Sequence, residues 1–316
     1  MDISKRELFT QSLGAGFQLL RGRLGLVALL YGFDLLVAVL LGFPIYNAVV
    51  EHVGITGFGP DLIQRFDLVL WREILDGLTE AFKVLGIQLL IVIPVYWIWK
   101  TASRMGVIYA LHQGGIWPFW RGVGYYTGKG LLLGLLFLPV KAIAAAVAVM
   151  IGLGIINVWT GEVGAFWSMA VILPFLVIAA LATIDLFQRY ARIAVVVRHD
   201  TVWRAFSAGL SWPLKYGAAS YLYIAWFMFV LLIFGMTQGL NALLHVGVSA
   251  VVVAFLIQQV SLFTREAATV GWIGSEVSLF ERTHIHELPL IAEDEQVGTS
   301  SDAHSGDDAL GGVAFT

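Results

Sequence analysis

"RYARIAVVVRHDTVWRAFSAGLSWPLKYG", residues 189–217, is basic, aromatic and punctuated by glycine, in a chain whose other long segments are nearly pure hydrocarbon. Its surroundings define its setting. Of 316 residues 59% are hydrophobic and only 13% charged, far from the balance of a soluble domain. Six apolar spans are predicted, at about 24–50, 84–103, 130–156, 163–187, 218–243 and 246–264, each near the ~20 residues that cross ~30 Å of hydrocarbon. The apolar runs are continuous, whereas barrel strands alternate apolar and polar residues, so the spans read as helices and the chain as all-α. The start, "MDISKRELFTQSLGAGF", is too polar for the hydrophobic region of a secretory signal, and no cleavage is expected there.

Orientation follows from the cations. Lys5, Arg6, Arg21 and Arg23 precede the first span; Lys100, Arg104, Arg121 and Lys129 lie between the second and third; Arg189, Arg192, Arg198, Arg204 and Lys215 lie between the fourth and fifth; Arg265 and Arg282 follow the last. The other side receives Arg65, Arg72 and Lys83. Fifteen cations against three place both termini in the cytoplasm of a multi-pass protein, expected in the bacterial inner membrane. The chain has no cysteine, so no disulfide or thiolate site enters.

The opening stretch is then the cytoplasmic connection between spans four and five, and two looser copies occupy matching places. They are "SRMGVIYALHQGGIWPFWRGVGYYTGKG" between spans two and three and "KRELFTQSLGAGFQLLRGRLG" at the N-terminus. An apolar residue stands seven before a glycine in each, as Phe9 and Gly16, Trp117 and Gly124, Val202 and Gly209, and a cation follows at Arg21, Lys129 and Lys215. Upstream, "ASRMGV" and "YARIAV" put Arg104 and Arg192 in matching positions. Aromatic rings on one side and cations on the other suit a membrane interface, with rings at headgroup depth and cations toward phosphate. Three interfacial elbow helices are expected, turning at glycine or at Pro118 and Pro213, with Arg21, Trp117, Trp120, Arg121, Lys129, Trp203, Arg204, Trp212 and Lys215 in contact with lipid. The expected fold is a six-helix membrane bundle of three parallel repeats, each an elbow plus a transmembrane hairpin. The alternative is that these are the ordinary basic aromatic flanks of a multispanning protein.

The run from Tyr190 to Lys215, "YARIAVVVRHDTVWRAFSAGLSWPLK", resembles the segment typical of a broad group of uncharacterised bacterial six-span membrane proteins. It is also similar to the membrane domain that accompanies some glycerophosphodiester phosphodiesterases. The resemblance implies a stand-alone membrane domain; with no soluble phosphodiesterase domain in the chain, it does not imply that activity.

Motifs for catalysis are few. There is no HExxH, GxxxxGK[ST] or GxSxG pattern and no cysteine nucleophile. "ERTHIHELP" offers Glu281, His284, His286 and Glu287 as metal ligands, but two histidines two residues apart lie about 200° apart on a helix, so no metal or cofactor is expected. Beyond it, residues 284–316 are acidic, small and polar and read as a disordered cytoplasmic tail, leaving 1–283 as the membrane domain. On the outer side, "DLIQRFDLVLWREILDGLTEAFKVLG" places Leu62, Phe66, Val69, Leu70, Ile74, Leu78 and Phe82 near one stripe. An amphipathic outer helix is expected over about 60–83, with continuation into the second span and a kink at Pro94.

Ionisable groups inside a membrane carry a functional presumption. Asp34 and Lys141 are the two expected to sit deep, thirteen residues past Arg21 and twelve past Lys129. Equal depth predicts an ion pair between them, fixing helix register or opening to admit an ion or headgroup. Asp185 is expected to reach either Arg189 one turn later or the membrane interface. The function read from these residues is a non-enzymatic scaffold or accessory protein. Its expected partners are membrane lipids, and other membrane subunits or a second copy, with no nucleic acid. The alternatives are a transporter or channel for a small solute or lipid, favoured by prolines in four spans, and a membrane enzyme acting on lipid.

Overall fold

Backbone hydrogen bonding along the chain is helical throughout the computed structural model, which describes residues 5–56, 79–158, 162–243 and 248–285. The order is α1 (Lys5–Arg21), α2 (Leu24–Thr56), α3 (Thr79–Gln113), α4 (Pro118–Val158), α5 (Glu162–Trp167), a π-helical turn (Ser168–Ile172), α6 (Leu173–Val197), α7 (Val202–Lys215), α8 (Ala218–Leu243) and α9 (Val248–Ile285). Packing divides the chain into two units, Met1–Phe280 and Glu281–Thr316; everything below concerns the first. The expected outer helix at 60–83 lies outside the described residues up to 78, as does the expected tail beyond 285.

Among the described residues five helices are long and apolar enough to cross a membrane, with their spans at Leu24–Pro44, Phe82–Gln113, Pro118–Ile156, Met169–Val197 and Ala218–Leu243. The sixth expected span, 246–264, begins in residues outside the described ones and continues as the first half of α9. Several helices outrun the predicted spans. At ~1.5 Å per residue, the 35 residues of α3 run about 52 Å, well past a ~30 Å hydrocarbon layer.

The breaks have local causes. α3 stops where Gly114 and Gly115 take φ of 74° and 110°, with the Gly114 N–H closing onto the Ala110 carbonyl at 3.1 Å; glycine adopts that left-handed turn without steric cost. α4 then begins on Pro118, whose missing N–H costs nothing at a first helical position. The π turn lies immediately before Pro174. Proline cannot donate to the preceding turn and its ring collides with the carbonyl four residues back, so the wider turn relieves the clash. Between α6 and α7, His199 adopts φ of 56°, and its Nδ1 lies 2.7 Å from the Tyr126 hydroxyl of α4.

Two of the three expected elbow segments are separate helices and one is not. α1 and α7 are separate helices, each followed by a break, at Gly22–Arg23 and at Tyr216–Gly217. Pro213 sits inside α7 rather than at its turn. The middle copy is no separate elbow, because α4 runs unbroken from Pro118 to Val158. Trp120, Arg121 and Lys129 therefore stand on the opening turns of a spanning helix, with Trp117 just before it. Nothing in "RGVGYYTGKGLLLG" stops a helix once it has started, since glycines within a helix weaken it without breaking it.

The core sits at the elbow end. α3, α6 and α9 each have an exposed apolar first half and a buried second half. Leu90, Phe175 and Val260 are 75%, 68% and 66% exposed, whereas Met105, Ala194 and Leu279 are fully buried. α1, the start of α4, and α7 cover the buried halves at contacts where a side chain has no room. A Cβ on Gly16 would lie 2.5 Å from the Gly271 carbonyl of α9; on Gly122, 2.6 Å from Cβ of Tyr109 on α3; on Gly209, 2.6 Å from Cβ of Ala191 on α6.

Candidate functional site

Three helix ends held this closely trap charge between them. α3 contributes Lys100 and Arg104, α6 contributes Asp185, Arg189 and Arg192, and α9 contributes Arg265, Glu266 and Glu276. Burying so many ions is costly unless each is paired.

The first group centres on Lys100. Its ammonium donates to Asp34 of α2 at 2.8 Å and to Glu266 at 3.4 Å, and the Tyr96 hydroxyl donates to the other Asp34 oxygen at 3.3 Å. Arg265 lies 3.8 Å from Asp34 and 3.6 Å from Glu266. Two cations face two carboxylates, and the group is balanced. Beside it is a cavity of about 210 Å³ whose polar lining includes Tyr96, Lys100, Ser103, Arg104, Arg265, Glu266 and Thr269.

The second group centres on Arg189. Its Nε donates to Asp185 at 2.8 Å, its Nη1 lies 3.6 Å from Glu276, and its guanidinium stacks 3.8 Å over the Trp272 ring. Both carboxylates are thereby drawn to one arginine. Arg104 and Arg192 remain, together with Glu276, around a second cavity of about 20 Å³. Arg192 is 4% exposed, and its Nε and Nη1 have no hydrogen-bond partner among the described residues. Burial pushes the Glu276 carboxyl up to about 7 against the opposing pull of Arg189, so at neutral pH part of the compensating negative charge is absent.

The expected pair of Asp34 with Lys141 does not form. Asp34 is held by Lys100, and Lys141 donates instead to Gln188 of α6 at 2.6 Å. Depth counted along two helices says nothing about which neighbour lies alongside, and α3 is the helix against α2. Cβ bonds lean toward a helix N-terminus, so Lys100, near the inner end of its predicted span, reaches back toward Asp34. The expected contact of Asp185 with Arg189 is present.

The elbow residues separate. Trp117, Trp120 and Trp203 are 82%, 50% and 69% exposed, and Arg21, Arg121, Arg204 and Lys215 are exposed. Lys129 is half-buried, its ammonium 5.8 Å from the Tyr126 ring. Trp212 corrects the expectation of a lipid contact. It is 7% exposed and packs at ring separations of 4.4 Å on Tyr190 and 5.2 Å on Phe280. It lies on the side of α7 that carries Gly209, which faces α6, so it points into the core.

Sequence reading missed Arg104, Arg192 and Glu276 as a buried set. The signal was the shared surroundings of the two arginines in "ASRMGV" and "YARIAV", to which "GSEV" adds Glu276 behind a small residue and ahead of valine. Among the described residues no cluster of histidine, aspartate and glutamate is arranged to hold a metal ion. Comparison with family models, with curated proteins and with solved structures finds no match to this chain.

Proposed function

We propose that the chain is a non-enzymatic multi-pass membrane protein, a scaffold or accessory subunit that contacts lipid and partner spans. In this reading six spans form three hairpins, the first and third preceded by a separate elbow helix, with both termini in the cytoplasm of a bacterial cell. The observation that carries it is the division of each long helix into an exposed apolar half and a buried half. On α2, Leu36, Val39, Leu40 and Phe43 are 50–61% exposed at the spacing of one helical stripe. Another apolar hollow, of about 500 Å³, lies between α6, α7 and α8 along Phe175, Ile178, Leu214 and Ile224. Such faces suit acyl chains or a neighbouring helix. The elbow-end core supplies the rigidity, and the exposed Trp117, Trp120 and Trp203 with Arg21, Arg121 and Arg204 suit the interface. Support for the repeat comes from the glycine contacts, which put one elbow-type segment on each of α9, α3 and α6.

A carrier for a small solute or lipid is the second reading, favoured by the 210 Å³ polar cavity beside the Lys100 and Asp34 pair. Purified protein in proteoliposomes separates the two. A scaffold leaves solute flux and lipid flip at the rates of empty vesicles; transport that requires only this chain rejects the scaffold reading.

A further inference from the structure

We propose that the two neighbouring cavities at Arg104 and Arg192 form a binding site for a phosphate group, carried by a lipid headgroup or a soluble phosphate. The inference goes beyond the scaffold reading and does not depend on it.

Three observations converge. The first is the state of Arg192, which is 4% exposed with Nε and Nη1 unpartnered. A buried guanidinium without acceptors is among the costlier arrangements in a protein. Nε and Nη1 lie on opposite edges of the guanidinium, each one prong of a donor fork completed by Nη2 that can meet two oxygens of a carboxylate or phosphate side by side.

The second is charge. Arg104, Arg189 and Arg192 face Asp185 and Glu276, and both acids lie against Arg189. Lys141, held on the neighbouring Gln188, adds a further cation. With Arg192 buried and neither it nor Arg104 in an ion pair among the described residues, the site is complementary to an anion.

The third is space. The smaller cavity, about 20 Å³, accommodates a single oxygen-sized atom. The larger, about 210 Å³, accommodates a whole phosphate group. Arg104, Thr269 and Ile273 line both, so one ligand can sit in the larger cavity against Arg104 and direct an oxygen toward Arg192. Ser103 and Thr269 add hydroxyls to the lining, and Lys100 and Arg265 stand on the far wall with their own carboxylates. A carboxylate ligand would fill the fork but leave most of the larger cavity and its hydroxyls unused, which favours phosphate.

The test uses the full chain in nanodiscs, with thermal unfolding followed by tryptophan fluorescence. In one arm the lipid is a galactolipid, which carries no phosphate, and inorganic phosphate replaces chloride at constant ionic strength. In the other no inorganic phosphate is added and phosphatidylglycerol replaces part of the galactolipid. The site predicts a saturable rise in Tm in at least one arm, about 4 °C at a hundredfold excess over Kd. A rise with inorganic phosphate identifies the soluble source; a rise with phosphatidylglycerol alone identifies the headgroup. Arg192→Gln abolishes the rise, Arg192→Lys weakens binding about tenfold through loss of the fork, and Arg6→Gln, an equal charge change on exposed α1, retains it. No rise in either arm overturns the proposal in the wild-type chain alone, whether or not the variants fold. So does a rise that Arg192→Gln leaves intact, or one that Arg6→Gln removes equally.

Discussion

Replacing Lys100 with methionine is expected to destabilise the chain more than replacing Asp34 with asparagine, although each change breaks the same ion pair. The structure supplies the asymmetry. Lys100 holds two carboxylates, Asp34 at 2.8 Å and Glu266 at 3.4 Å, and these side chains are 10% and 6% exposed. Without it both depend on Arg265, which is farther away and 49% exposed. Breaking a buried pair by deleting one partner costs about 3–5 kcal/mol. With the Lys100 side chain 24% exposed, solvent moderates the loss, and about 3 kcal/mol is expected. In Asp34→Asn the ammonium keeps Glu266, and the new amide still accepts a hydrogen bond, so the cost falls to about 1 kcal/mol. The double variant should recover part of the sum, with a coupling energy of about 1–2 kcal/mol. Chemical unfolding in detergent, followed by tryptophan fluorescence, measures all four corners of the cycle. A cycle of Asp34→Asn with Lys141→Met should be additive within about 0.5 kcal/mol, because these residues have separate partners. Coupling of 1 kcal/mol or more in that second cycle, or Asp34→Asn costing more than Lys100→Met, would refute the placement of Lys100 between its two carboxylates.

Two further outcomes test the packing and the buried charge. Gly209→Ala should cost about 2 kcal/mol, since its Cβ would meet the Phe187 carbonyl at 2.7 Å and Cα of Ala191 at 2.9 Å, contacts that yield only if α7 shifts. Gly124→Ala, with nothing within 4 Å of its Cβ, should be neutral or mildly stabilising through helix propensity; equal effects at the two positions would contradict the close crossing. The Glu276 carboxyl rises from 4.5 to about 7 in the folded chain, so the folded state holds a proton that the unfolded state has already lost. Its stability contribution is complete below pH 4.5 and disappears as the pH rises through 7, a loss of about 3 kcal/mol. Denaturant midpoints measured from pH 4.5 to 8 should fall in the wild type, and Glu276→Gln should flatten that part of the curve.

Much of the architecture is legible in the residues. Continuous apolar runs predict helices of membrane-crossing length, whereas the glycine offsets, read as marks of a repeat and of turns, fall at Gly16 and Gly209 on close helix contacts. The same alignment fails by two residues in the middle copy, where Gly122 rather than Gly124 makes the close contact. The offsets count along the chain, whereas the contact depends on which face of α4 meets α3. Trp212 illustrates the same gap, because an amphipathic segment with tryptophans on both sides does not reveal which side lies against its neighbour. Cations flanking apolar runs were read as solvent or headgroup contacts by the positive-inside rule, yet Arg104, Arg189 and Arg192 are enclosed. The rule describes where a cation lies along the membrane normal and carries no information about lateral packing.

That enclosure follows from the glycine crossings. α3, α6 and α9 end in mixed sequences such as "ASRMGVIYA", "QRYARIAVVV" and "GWIGSEVSLF", in which small and apolar residues surround one or two ions. On an isolated helix those ions would face water and cost nothing. Capping by α1, α4 and α7, at distances that leave no room for a methyl group, leaves Arg192 and Glu276 almost no exposure. Apolar residues on the same helix ends supply the burial that offsets the charges, as Met105, Val107, Ile193, Val270 and Leu279 are all essentially inaccessible. The Lys100 group meets the cost of enclosure by matching cations with carboxylates. The Arg192 group does not, and its unpartnered Nε and Nη1 are the observation on which the proposed phosphate site rests.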